Sequence, residues 1–172
     1  MLAVVAIFAM LMAFFVPRLG ASRQVALRDD ARALAAGIEW ARQRAAVTGK
    51  PHLLRLDVPN GSYRVEWRIS EAEANGEEPP WPEPLDADVA EYRPIPDSMF
   101  GRWLFLGPQF DFEGVEVDGS FLTRGDVELV FEPDGSTDWA EISVIDPDAN
   151  LGVLLTVRPM IDAVRIRDAD DA

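Results

Sequence analysis

Hydrophobic and polar positions fall into blocks along this chain, each with its own period. Met1–Val16 reads MLAVVAIFAMLMAFFV, without a charged or polar side chain, and Pro17 and Arg18 close it. As a helix this run spans roughly 24 Å at ~1.5 Å per residue. That is a few residues short of the ~20 that a bilayer core needs. The next block is helical by spacing. Leu27, Ala31, Leu34, Ile38, Ala41 and Ala45 recur every three or four residues and so share one helix face. Arg28, Arg32, Glu39, Arg42 and Arg44 fall mostly elsewhere, and Gly49 and Pro51 supply a stop. The pattern predicts one helix from near Met1 to about Thr48, bent at Pro17, because proline removes a backbone donor and clashes with the preceding turn. The competing possibility is two helices with a break at Leu19–Ser22.

From Pro51 the period becomes two. His52–Asp57 reads as a strand, Pro59-Asn60-Gly61 as a hairpin turn, and Ser62–Ser70 as a half-buried strand. In the latter, Tyr63, Val65, Trp67 and Ile69 face one way, and Arg64, Glu66 and Arg68 the other. Residues 71–98 break the pattern with six prolines among many acids, which reads as a surface insertion pinned by Trp81 and Leu85. Further strands are predicted at Trp103–Leu106, Gly114–Val117, Val127–Glu132, Trp139–Ile145, Gly152–Val157 and Ala163–Ile166, separated by turn residues. A helix followed by short strands predicts an α+β fold, with antiparallel sheet or sandwich packed on the helix. The organisation is then 1–16 apolar helix, 17–50 amphipathic continuation, and 51–172 β head.

Charge sharpens this division. The chain of 172 residues has a formal net charge of −14. The segment 17–50 carries seven Lys+Arg against three Asp+Glu, and 51–172 carries nine against twenty-seven, so a basic stem joins a head near −18. An acidic head argues against a nucleic-acid partner. The absence of cysteine excludes disulfides, thiolate metal sites and cysteine nucleophiles, and a single histidine, His52, excludes multi-histidine metal centres.

Candidate chemistry is sparse. Asp146, Asp148 and Asn150 have the alternating oxygen spacing of a calcium loop. They lack the glycine at the sixth position and the glutamate at the twelfth, where Val157 stands. The segment reads as a hairpin loop with calcium an opportunistic ligand. His52 stands at the start of a strand with no serine elbow in the chain, and no Gly-rich phosphate loop is present. Trp67, Trp103 and Trp139 are expected in the core, Trp40 beside the helix stripe, and Trp81 exposed in the insertion. No enzyme emerges and no cofactor is called for. The informative feature is an all-apolar helix, which must sit in lipid or pack against other helices.

These residues resemble the GspH/FimT family of minor pseudopilins and pilins, within the type IV pilin-like proteins. Met1–Ile7 through Pro17-Arg18 is similar to that family's N-terminal helix with its bending proline. Arg32–Ala35, Ala41–Pro51, the Val130–Ser136 strand-turn and the last two strands resemble its later parts, whereas residues 71–96 resemble nothing nameable. The family's basic leader, prepilin cleavage motif and glutamate do not precede Met1, so the expectation is a start upstream. The resemblance implies a structural subunit held in the bacterial inner membrane by a single pass, its head in the periplasm. It implies assembly with other pseudopilins in a type II secretion pseudopilus. The helix residues Met1, Leu2, Val4, Val5, Ile7, Phe8, Leu11, Phe14, Phe15 and Val16 would exchange lipid for helix contacts, with Pro17 as the kink. The alternatives are a FimT-like minor pilin of a type IV pilus or a membrane-anchored periplasmic binding protein.

Overall fold

The computed structural model describes residues 2–77, 91–159 and 163–169, without the side chains of 2–21 and of Glu71. A single helix, α1 (Leu2–Thr48), runs without interruption past Pro17. There is no break at Leu19–Ser22. The helix ends where Gly49 takes a φ of +67° and its N–H reaches the Ala45 carbonyl at 3.0 Å. Glycine alone reaches that conformation without a Cβ penalty.

Among the described residues ten strands follow in two sheets, all pairs antiparallel. The first sheet holds β1 (His52–Asp57), β2 (Ser62–Ile69), β3 (Glu91–Pro94), β4 (Leu104–Phe105) and β7 (Asp126–Phe131). Its order is β3-β2-β1-β7, with β4 also pairing β2. The second sheet holds β5 (Asp111–Val117), β6 (Ser120–Leu122), β8 (Ala140–Asp146), β9 (Leu151–Val157) and β10 (Arg165–Asp168), in the order β10-β9-β8-β5-β6. A four-residue helix, α2 (Glu71–Ala74), follows β2.

The core lies between the sheets and α1. Leu27, Ala31, Leu34, Ile38, Ala41 and Ala45 all have 0 % exposure and form one continuous cluster with Leu54, Leu56, Val65, Leu129 and Phe131 of the first sheet. Val115, Ile142, Val144, Val153, Leu155 and Val157 of the second sheet complete it. The alanines let the helix approach the strands closely, and the larger residues fill the space between rows. Helix α1 meets β1 and β9, one strand from each sheet.

Several expectations need correction. Part of the segment expected to be an insertion is structured: α2 and β3 both lie within it, and β3 extends the first sheet along β2. Strand β5 begins at Asp111, three residues earlier than the alternation suggested. Its bulge between Phe112 and Gly114 breaks the period of two there. The short β6 was not predicted, because no alternation can register in three residues. The β1–β2 turn uses a positive φ at Gly61 alone, with Asp57 accepting from the Asn60 N–H at 3.2 Å and side-chain amide at 2.8 Å. Trp67, Trp103 and Trp139 are half-buried, and of these Trp67 packs against the core, while Trp81 lies outside the described residues.

Candidate assembly interface

The surface that could engage other chains is α1 and the edges it leaves beside the head. Polar contacts hold the helix to the second sheet. The Val164 N–H donates to Glu39 at 2.7 Å, Gln24 and Arg28 both donate to Asp168, and Arg42 reaches the Arg158 carbonyl at 3.4 Å. Arg42, expected off the buried face, is itself buried beside the Phe131 ring. On the other side the Gly107 N–H donates to Asp30. Tyr63 packs beneath this region, where burial, helped by the Asp30 charge, pushes its hydroxyl up to about 12. The Arg28 guanidinium holds the Asp168 carboxyl below the usual carboxylate range.

A second charged constellation covers the outer face of the first sheet. Glu66 is 1 % exposed and accepts from Arg55 through both oxygens at 3.1 Å and from the Arg64 Nε at 2.7 Å. Arg55 also faces Glu128 and Asp126, and Arg64 lies 4.4 Å over the Trp103 ring. The Glu66 hydrogen bonds hold the Arg55 guanidinium above its ordinary value. This network satisfies its own donors and acceptors, so it stiffens the sheet rather than offering a catalytic group.

At the foot of the helix, α2 carries a capping box. The Ser70 N–H donates to Glu73 at 3.0 Å and the Glu73 N–H returns to the Ser70 hydroxyl at 3.3 Å. Lys50 donates to the same Glu73. Partial burial opposes ionisation of Glu73, but Lys50 and Ser70 outweigh it and hold the carboxyl low.

Each predicted site residue can now be placed. The side chains of Met1–Pro17 lie outside the described residues. Among the described residues no helix is long and apolar enough to cross a membrane. Asp146 is fully buried. Its Oδ1 accepts from the Ala149 N–H at 3.0 Å, closing the β8–β9 turn, and its Oδ2 sits 3.5 Å from Arg23. Asp148 faces the same guanidinium at 3.7 Å, and Asn150 turns the chain with a φ of 52°. The charge these carboxylates meet is therefore Arg23. Among the described residues no three His, Cys, Asp or Glu gather as a metal site. His52 is fully buried with Nδ1 on the Lys50 carbonyl at 2.9 Å, and burial lowers its pKa. Enclosed in this way it has no access to a substrate.

The arrangement of one spine-like helix, two antiparallel sheets and an α–β core can be set beside known structures. The minor pseudopilin EpsH from the Type 2 Secretion System of Vibrio cholerae superposes with a TM-score of 0.53 at 10 % identity, covering 82 % of this chain and 95 % of that one. The chain has a GspH-like pilin fold. No family model and no curated protein matches the sequence. The likeness is therefore carried by architecture: a pilin fold maintained by a helix stripe and two sheet faces, with nearly every side chain exchanged.

Proposed function

We propose that this chain is a structural minor pseudopilin of a type II secretion pseudopilus. It is anchored in the inner membrane through Met1–Val16, with its head in the periplasm, and assembles with other pseudopilins through the same helix. The observation that carries this reading is the combination of a GspH-like fold with a helix that starts at Leu2, far ahead of Leu27, the first stripe residue packed in the head core. That advance is about 25 residues, or roughly 37 Å of helix at ~1.5 Å per residue, and its first part is wholly apolar in sequence. Such a segment is stable in lipid or against like helices. Pro17 would bend it between the anchor and the packed stem. The protein would act by assembly, without catalysis or a cofactor.

Replacing Leu11 with Asp tests this. A charge at the centre of an inserted helix costs about 3 kcal/mol, so the variant is expected to leave the membrane fraction and to lose crosslinks to co-expressed pseudopilins. Unchanged fractionation and crosslinking would refute the proposal. Crosslinking to type IV pilins in place of pseudopilins would move the protein to a type IV pilus.

A further inference from the structure

The two sheets end on four strands, β3 and β7 in the first and β10 and β6 in the second. An end strand leaves one row of backbone N–H and C=O groups unpaired, and charges or proline on it discourage a further strand from adding there. Three of the four are guarded in this way. β3 carries Glu91, Arg93 and Pro94, β7 carries Asp126 and Glu128, and β10 carries Arg165, Arg167 and Asp168. β6 is Ser120-Phe121-Leu122, with neither charge nor proline. Phe121 is 56 % exposed and Leu122 41 %, within a stretch exposed at every residue from Asp118 to Asp126. An open edge with exposed apolar side chains is the surface that strand addition uses.

The two faces of this edge differ. Phe121 stands opposite Glu116, and its ring lies over Gly114, where a Cβ would collide with it. The bulge between Phe112 and Gly114 leaves Glu113 without a partner on β8. Its carboxylate accepts from the hydroxyl of Ser143, the residue opposite Gly114, at 2.6 Å. The Phe121 face of the edge is therefore aromatic and acidic. Glu116 also stands opposite Glu141, a like-charge pairing that a β-ladder disfavours. Among the described residues no ion pair includes Asp111, Glu113, Glu116 or Asp118. The other face is apolar, because Leu122 stands opposite the buried Val115.

We propose that β6 accepts an added strand from another protein, an extended segment that alternates cationic and apolar residues. Its backbone pairs with the open side of β6. Its Lys or Arg side chains meet the Phe121 ring beside Glu113 and Glu116, joining cation–π attraction to opposite charge. Its apolar side chains continue the Leu122 face. A second copy of β6 itself fits poorly, since Ser120-Phe121-Leu122 brings no cation to these carboxylates. The contact lies on the head and stands apart from the filament reading above.

The test uses the full chain in micelles of an uncharged detergent. The probe is a short fluorescent peptide alternating lysine and valine, followed by anisotropy near 50 mM salt. Two control peptides alternate lysine with proline, which keeps the charge but cannot form a strand, and glutamate with valine, which reverses the charge. Wild type is expected to bind the lysine–valine peptide at least about tenfold more tightly than either control. Phe121→Ala and Glu116→Gln are each expected to weaken that binding at least about threefold. Phe105→Ala, which removes an exposed aromatic from the first sheet, should leave it unchanged. Glu116→Gln relieves the opposition to Glu141, so its urea midpoint should not fall and its weaker binding reports the contact. No binding, equal binding of the lysine–valine and lysine–proline peptides, or binding indifferent to both variants would overturn the proposal. Self-association of wild type that Phe121→Ala abolishes would mean that a second copy takes the edge, and would also overturn it. Leu11→Asp should bind the peptide as wild type does, which keeps this outcome separate from the anchoring test.

Discussion

Truncating Glu66 to Ala removes the carboxylate around which the outer face of the first sheet is organised. The side chain is 1 % exposed and takes two hydrogen bonds from Arg55 and at least one from Arg64. Breaking a buried ion pair by deleting one partner costs about 3–5 kcal/mol, because the surviving charge is left without compensation. Here both guanidinium groups keep about a quarter of their side-chain exposure. Arg55 also retains Glu128 and Arg64 the Trp103 face. The lower end of the range applies, about 3 kcal/mol, or a fall of roughly 6–12 °C in Tm for a chain of this size. The Glu66→Gln variant keeps the shape and one acceptor and should lose about half as much. Urea unfolding followed by tryptophan fluorescence reads both variants, with Trp103 beneath Arg64 as a local reporter. A cost below about 1 kcal/mol for Glu66→Ala would equal that of a surface pair and would refute the view that this network anchors the sheet.

Three further expectations follow from the core and its margins. Burial holds His52 below its ordinary pKa of 6.5, so the folded state binds fewer protons than the unfolded one, and stability should fall as pH drops through and below that value. Urea midpoints between pH 7.5 and 5 should show this slope, reduced in His52→Leu. A Cβ at Gly101 would collide with the Ile95 carbonyl, so Gly101→Ala should cost about 1–3 kcal/mol in the same assay. Leu34, fully buried between α1 and both sheets, should cost about 3–5 kcal/mol as Leu34→Ala. A loss below 1 kcal/mol would mean that the stripe is not the seam of the core.

The elements that could be read from sequence were those with several periods of repetition. The α1 stripe repeats five intervals, and β2 alternates over eight residues. What escaped was short or paired at long range. β3 is four residues carrying Arg93 and Pro94, and its identity as a strand comes from its partner Trp67 and neighbours rather than from its own pattern. The capping box Ser70–Glu73 was a legible local signal for α2 that the surrounding prolines and acids masked. The pocket between α1 and β10 illustrates the limit for the surface. Arg28 and Arg32 are 135 or more residues from Arg167 in the chain, and only the placement of β10 beside α1 gathers them. The bidentate Arg55–Glu66 pair likewise depends on the β1–β2 register, which sets Leu53 opposite Glu66 and Arg55 one diagonal away.

The way α1 is seated has a mechanical consequence. Its buried stripe extends from Leu27 to Ala45, about 27 Å at ~1.5 Å per residue, and bears on strands from both sheets. A pull along the helix axis therefore loads the whole stripe in shear, so every row of side chains must slip together before the head is released. A load applied across the axis would instead peel the rows one after another. The molecule is built to bear tension along its own spine.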